Sequence, residues 1–159
     1  MFSVLMASLA LAASAPQLTA PQAPLDARTA VYELRIYHPP AGKLSNLNER
    51  FRNHTLRLFA KHGMRNVAFW NELPTKDAPE GRMIFILAYP SREAREASWK
   101  AFVEDPEWKD VAAKSEANGK IVSKVENLFM TMTDYSPHFS AGGVATKTQP
   151  RGRKPTPRN

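Results

Sequence analysis

Residues 31–38 read Val-Tyr-Glu-Leu-Arg-Ile-Tyr-His. The stretch alternates: Tyr32, Leu34 and Ile36 point one way, while Val31, Glu33, Arg35 and Tyr37 point the other. Period-two alternation among β-branched and aromatic residues predicts a β-strand. One face is apolar enough to receive helices. The other carries an acid, a base and a phenol in a row. Such a face is either a solvated sheet surface or the wall of a pocket, and the rest of the chain must decide between them.

Working outward, Pro39-Pro40-Ala41-Gly42 breaks the strand, and a helix is expected over about Lys43 to His62. Leu44, Leu47, Phe51, Leu58 and Phe59 form its apolar stripe, His54 falls within that stripe, and Gly63 suits the position just past the end. Met64 to Asn71 reads as a second strand, with Val67 and Phe69 on one face and Asn66, Ala68 and Trp70 on the other. A Pro- and Gly-containing loop leads to a third strand, Arg82 to Tyr89, which is apolar on both faces. Ser91 caps a further helix whose expected inner stripe is Ala94, Ala97, Ala101 and Phe102. Asp105-Pro106-Glu107 starts another helical piece, with a cap, a Pro at the first position and an acid in the first turn. A fourth strand, about Val125 to Met132, completes the order β-α-β-β-α-β. That is an α+β, ferredoxin-like arrangement, with helices on one sheet face. The apolar opposite face, seen in Ile84 and Ile86, calls for cover by a second copy.

The ends differ from this middle. Residues 1–20 read as an export signal: Phe2 to Ala13 is mostly apolar, and Ala13-Ser14-Ala15 resembles a cleavage site. The run is too short to span a bilayer comfortably, so no transmembrane span is expected. No Arg precedes Arg28, unlike an Arg-rich mitochondrial presequence. A periplasmic or secreted location is therefore the expectation, with mitochondrial or cytoplasmic residence as the alternative. Residues 21–30, holding Pro21 and Pro24, read as a linker. Residues 139–159 carry Lys147, Arg151, Arg153, Lys154 and Arg158 without an acid, the composition of a disordered basic tail. This tail accounts for most of the net charge of +7 over the 159 residues. It lacks interleaved aromatics, so no specific nucleic-acid partner is expected. The chain has no cysteine, which excludes disulfides, thiol catalysis and cysteine metal sites.

Several segments, taken in order, carry a family resemblance: Tyr32-Glu33-Leu34-Arg35-Ile36-Tyr37; His54-Thr55-Leu56 with Lys61-His62-Gly63; Phe69-Trp70; Leu87 to Arg95; Trp99 and Phe102; Asp105-Pro106-Glu107-Trp108; and Phe129 to Pro137. Residues 31–138 resemble the NIPSNAP family. The resemblance implies a dimeric α/β barrel, two ferredoxin-like units whose sheets face each other. It implies no established reaction. Animal members are linked with mitochondria and with vesicle or autophagy adaptors, and an exported form with a basic tail departs from that setting. The expected function is an exported homodimer that binds a small or apolar molecule or a partner protein. The alternative is an enzyme of the dimeric α/β-barrel kind, a cofactor-free monooxygenase or a haem-handling protein.

The candidate ligand-pocket residues are Glu33, Arg35, Tyr37, His54 and Trp70. Glu33, Arg35 and Tyr37 either line a cavity between the two sheets, with Arg35 holding an anionic group, or form a structural Glu-Arg pair at the dimer seam; the seam is the favoured expectation. His54 is either a general base or axial haem ligand, or a core histidine bonded to its neighbours, and the core reading is favoured. Trp70, Trp99 and Trp108 read as packing anchors, Trp70 also as a pocket wall. No phosphate loop, Ser-His-Asp order or clustered metal ligands are seen, so neither metal nor resident cofactor is expected, haem excepted as the alternative.

Overall fold

β1 (Val31–His38) is a central strand, antiparallel to β3 (Met83–Tyr89) on one side and β4 (Lys124–Met130) on the other. β2 (Arg65–Asn71) adds to β3, giving the order β2-β3-β1-β4. This is the expected ferredoxin-like α+β fold. A computed structural model describes residues 25–137. The expectations for residues 1–20, for the first part of the linker and for the basic tail lie outside them.

The expected first helix runs without a break as α1 (Leu44–Arg50), a π-helical turn (Phe51–Thr55) and α2 (Leu56–Lys61). Gly63 follows at φ +77°, a conformation that L side chains adopt poorly. α3 (Arg92–Glu104) and α4 (Pro106–Ser115) begin at the two caps read from sequence. Ser91 Oγ accepts from the Ala94 amide at 3.2 Å, and Asp105 Oδ1 from the Glu107 amide at 2.9 Å. Asp105 Oδ2 also accepts from Lys61 Nζ at 2.7 Å and meets His62 Nε2 at 2.6 Å, tying the end of α2 to the start of α4. Among the described residues no helix is long and apolar enough to cross a membrane.

All helices cover one sheet face. Leu47, Phe51, Leu58, Phe59 and Phe102 descend onto Met83, Phe85, Leu87 and Tyr89 of β3. Phe51 lies 5.2 Å from Phe85, edge to face, and Phe59 lies 5.0 Å from Phe102. Each such ring or Leu side chain contributes roughly 1.5–3 kcal/mol by leaving water. In the loop before β3, Gly81 has φ +78°, and a Cβ there would sit 2.2 Å from the Glu72 carbonyl oxygen.

Four expectations are corrected. Glu33, Arg35 and Tyr37 face the helices, not the open side, because in the ladder they lie opposite Leu87, Phe85 and Met83 of the core face. On β2 a bulge between Asn66 and Ala68 absorbs one residue, so Val67 joins the face of Ala68 and Trp70 while Phe69 joins the core. The inner stripe of α3 is phased differently: Trp99 and Phe102 pack inward, and Ala97 and Ala101 are exposed. Residues 25–30, part of the expected linker, form a turn that packs. Ala30 is fully buried, Leu25 rests on the Tyr32–Ala88 cluster, and the Tyr32 hydroxyl donates to the Ala27 carbonyl at 3.1 Å.

Candidate functional site

The structure sends the five candidate residues to three places. Glu33, Arg35 and Tyr37 lie beneath the helices. Glu33 has no exposed surface, and six hydrogen bonds converge on its carboxylate. Oε1 accepts from Arg35 Nη1 at 2.6 Å, Arg95 Nη2 at 2.7 Å and Asn127 Nδ2 at 3.0 Å. Oε2 accepts from Arg95 Nε at 3.1 Å, the Tyr89 hydroxyl at 3.1 Å and Trp99 Nε1 at 3.2 Å. Arg95 is therefore a two-pronged partner, while Arg35 stacks 4.2 Å from the Trp99 ring centroid. Burial alone would raise the Glu33 carboxyl; the Arg95 hydrogen bond, the Arg35 charge and the Asn127 hydrogen bond outweigh it and hold the pKa at about 2. Burial, and then the Glu33 charge, push the Tyr89 phenol far above its ordinary value. Burial likewise raises Tyr37.

This cluster is a lock rather than a reactive centre. A carboxylate has about four lone-pair sites, and all are taken. With its pKa near 2, Glu33 stays ionised at neutral pH and is too weak a base for proton abstraction. The Glu-Arg pair expected at a dimer seam is instead internal to one chain. Arg95, Tyr89 and Asn127 escaped the sequence reading because their partner is 56 to 94 residues away in the chain.

His54 is exposed, contrary to its expected place on the buried stripe. The π-helical turn shifts the phase by about one residue, and Thr55, 1% exposed, takes the inward position. His54 instead lines a groove of about 420 Å³ between the first helix and α4. Haem would need an apolar slot as well as an axial base. Here Val111 sits among amide, hydroxyl and charged groups, so the residues present do not fit haem. Among the described residues no group of three His, Cys, Asp or Glu side chains could hold a metal ion.

Trp70 stands on the helix-free sheet face. Register places it beside Ile84, with Ala68 beside Ile86, Ile86 beside Leu34, and Leu34 beside Leu128. Trp70 is 50% exposed and Leu128 59%. One end of this face is covered by Leu25, Ala30 and Met132. At the other end His38 Nε2 meets Glu126 at 2.6 Å, and Lys124 Nζ meets the same carboxylate at 2.9 Å. The result is an apolar field with a charged border. The Glu126 carboxyl is held below its usual range, first by the Lys124 hydrogen bond and then by His38.

Comparison with known proteins gives the same fold. The chain is similar to an uncharacterized NIPSNAP-like domain protein from Burkholderia xenovorans, at 15% identity and a TM-score of 0.59, covering 74% of this chain and 97% of that one. It is similar to a NIPSNAP family protein with unknown function from Agrobacterium tumefaciens, at 18% identity and a TM-score of 0.57, covering 71% and 96%. A second NIPSNAP family protein from that organism matches at 21% identity and a TM-score of 0.57, covering 68% and 97%. No curated protein matches by sequence. The NIPSNAP family model matches residues 32–137, the whole of the sheet and its helices, and the chain belongs to the NIPSNAP family.

Proposed function

We propose that the protein works as a homodimer whose two helix-free sheet faces meet and enclose a small apolar molecule. The observation that carries this reading is the uncovered apolar field. Leu34, Ile36, Ile84, Ile86, Trp70 and Leu128 form one contiguous surface on a chain whose other sheet face carries the helices. Contiguous apolar surface of this kind marks an interaction site. Self-pairing suits it, because a two-fold axis sets the same patch on both partners, and the Lys124 and Glu126 border carries both signs of charge. Ala68 places only a methyl beside Ile86 on the edge strand β2, which leaves space between facing copies, and Trp70 on the same strand face is large enough to wall that space. The apolar run at residues 2–13 supports export as the setting.

Native mass spectrometry of the dimer purified from its own host tests the binding reading. The dimer is expected to carry a small-molecule adduct. Ala68→Trp should fill the space and remove the adduct while leaving a dimer. A wild-type dimer that carries no adduct, or an adduct unchanged in Ala68→Trp, contradicts the enclosed-ligand reading.

A further inference from the structure

The groove between the first helix and α4 has a chemistry of its own. Lys43, Asn46, Arg50, Asn53 and His54 follow one another along the first helix, and Val111, Lys114, Ser115 and Asn118 face them from α4 and the turn after it. Its volume of about 420 Å³ lies within the range of small-molecule sites, roughly 300–1,000 Å³. Val111 is its one apolar side chain, set among amide, hydroxyl and charged groups, so an occupant that carries polar groups suits it.

The charges are unevenly spent. Lys114 is paired with Asp110 at 2.8 Å. Arg50 is 6% exposed: its Nη1 reaches Glu116 at 3.1 Å and Ser115 Oγ at 3.4 Å, its guanidinium lies 5.1 Å from the Trp108 centroid, and its buried Nε has no hydrogen-bond partner among the described residues. Among the described residues Lys43 Nζ meets the Asn118 carbonyl alone, at 3.1 Å. Glu49, exposed on the lining, is the remaining acid. A buried, held guanidinium and an ammonium held by one carbonyl thus share the groove with three asparagine amides, which can both donate and accept, while the Ser115 hydroxyl already donates to the Ala112 carbonyl at 3.1 Å. The π-helical turn adds to this. By moving Thr55 inward it presents Asn53 and His54 together on the groove wall, and such turns are frequent at functional sites.

We propose that this groove binds a small polyhydroxylated molecule through an anionic oxygen group, carboxylate or phosphate. The anion meets Lys43 and Arg50, and the hydroxyls meet Asn46, Asn53 and Asn118. The groove belongs to the helix layer, on the opposite side of the sheet from the dimer face. Its test therefore succeeds or fails independently of the dimer.

The test is calorimetric titration of the full-length protein with three probes on one scaffold: D-gluconate, D-glucose 6-phosphate and D-glucose. At least one of the two anions is expected to bind about tenfold or more tightly than glucose. The tighter of the two identifies the group as carboxylate or phosphate. The double variant Lys43→Glu with Asn53→Asp places two like charges in the groove. It should fold, since an acid at position 43 suits the helix start and Asn53 is exposed, and it should lose about tenfold or more in affinity for the tighter anion. Anions that bind no better than glucose overturn the proposal. So does a folded double variant that binds them as well as the wild type.

Discussion

Glu33→Leu is expected to lower the unfolding free energy by about 3–5 kcal/mol, the loss usual when one member of a buried ionic cluster is removed. The leucine fills similar space but leaves Arg35 with no anion and Arg95 with Glu96 alone, and it deprives Tyr89 and Asn127 of their acceptor while Trp99 keeps the Tyr89 hydroxyl. Arg35→Met behaves differently. It removes one of two cations and leaves Glu33 paired two-pronged with Arg95, so its loss is expected to be smaller, about 1–2 kcal/mol. Urea unfolding followed by circular dichroism measures both. Two variants within about 1 kcal/mol of the wild type would contradict the account of the cluster.

The same carboxylate makes stability depend on acid. Its pKa is lowered in the fold from 4.5 to about 2, so the unfolded chain takes up the proton first. The stabilisation is therefore complete above pH 4.5 and is lost as pH falls toward 2, amounting to roughly 3 kcal/mol across that window. Glu33→Gln removes the titrating group. The pH dependence of its unfolding between pH 4.5 and 2 should be visibly flatter than that of the wild type.

Ile86→Lys is expected to raise the dimer dissociation constant a thousandfold or more, about 4 kcal/mol, giving monomers or aggregates at micromolar concentration. Ile86 lies between Leu34 and Ala68 in the middle of the apolar field, where a facing copy would bury an ammonium without a partner. Lys100→Glu, an exposed change on α3, is the control and should sediment as the wild type does. Equal masses for Ile86→Lys and wild type would remove the open face from the interface.

The strands and helices were legible because their signals are local. Alternation marked β1, two-sided apolarity marked β3, and Ser91 and Asp105-Pro106 marked the starts of α3 and α4. Ile84 and Ile86 likewise disclose an open apolar face from the sequence alone. The faces of β1 were not legible. A strand carrying Glu, Arg and Tyr looks solvent-directed unless its partners are known, and Arg95, Trp99 and Asn127 come from elements far along the chain. The errors at Val67 and His54 share a cause. A bulge and a π-helical turn each insert one residue into a periodic pattern and shift its phase at that point, so Val67 and Thr55 take faces that the regular period does not assign them. On α3 the evenly spaced alanines drew the stripe away from Trp99, the larger side chain that packs against the core. Of the candidate residues, Trp70 stands on the face proposed to enclose a ligand, His54 lines the polar groove, and Glu33, Arg35 and Tyr37 are interior.

Sedimentation equilibrium of the full-length wild-type protein at micromolar concentration tests the central claim most directly. The account predicts one species at twice the chain mass of 17.8 kDa. A soluble, folded species at 17.8 kDa, stable on dilution and on concentration, would contradict it.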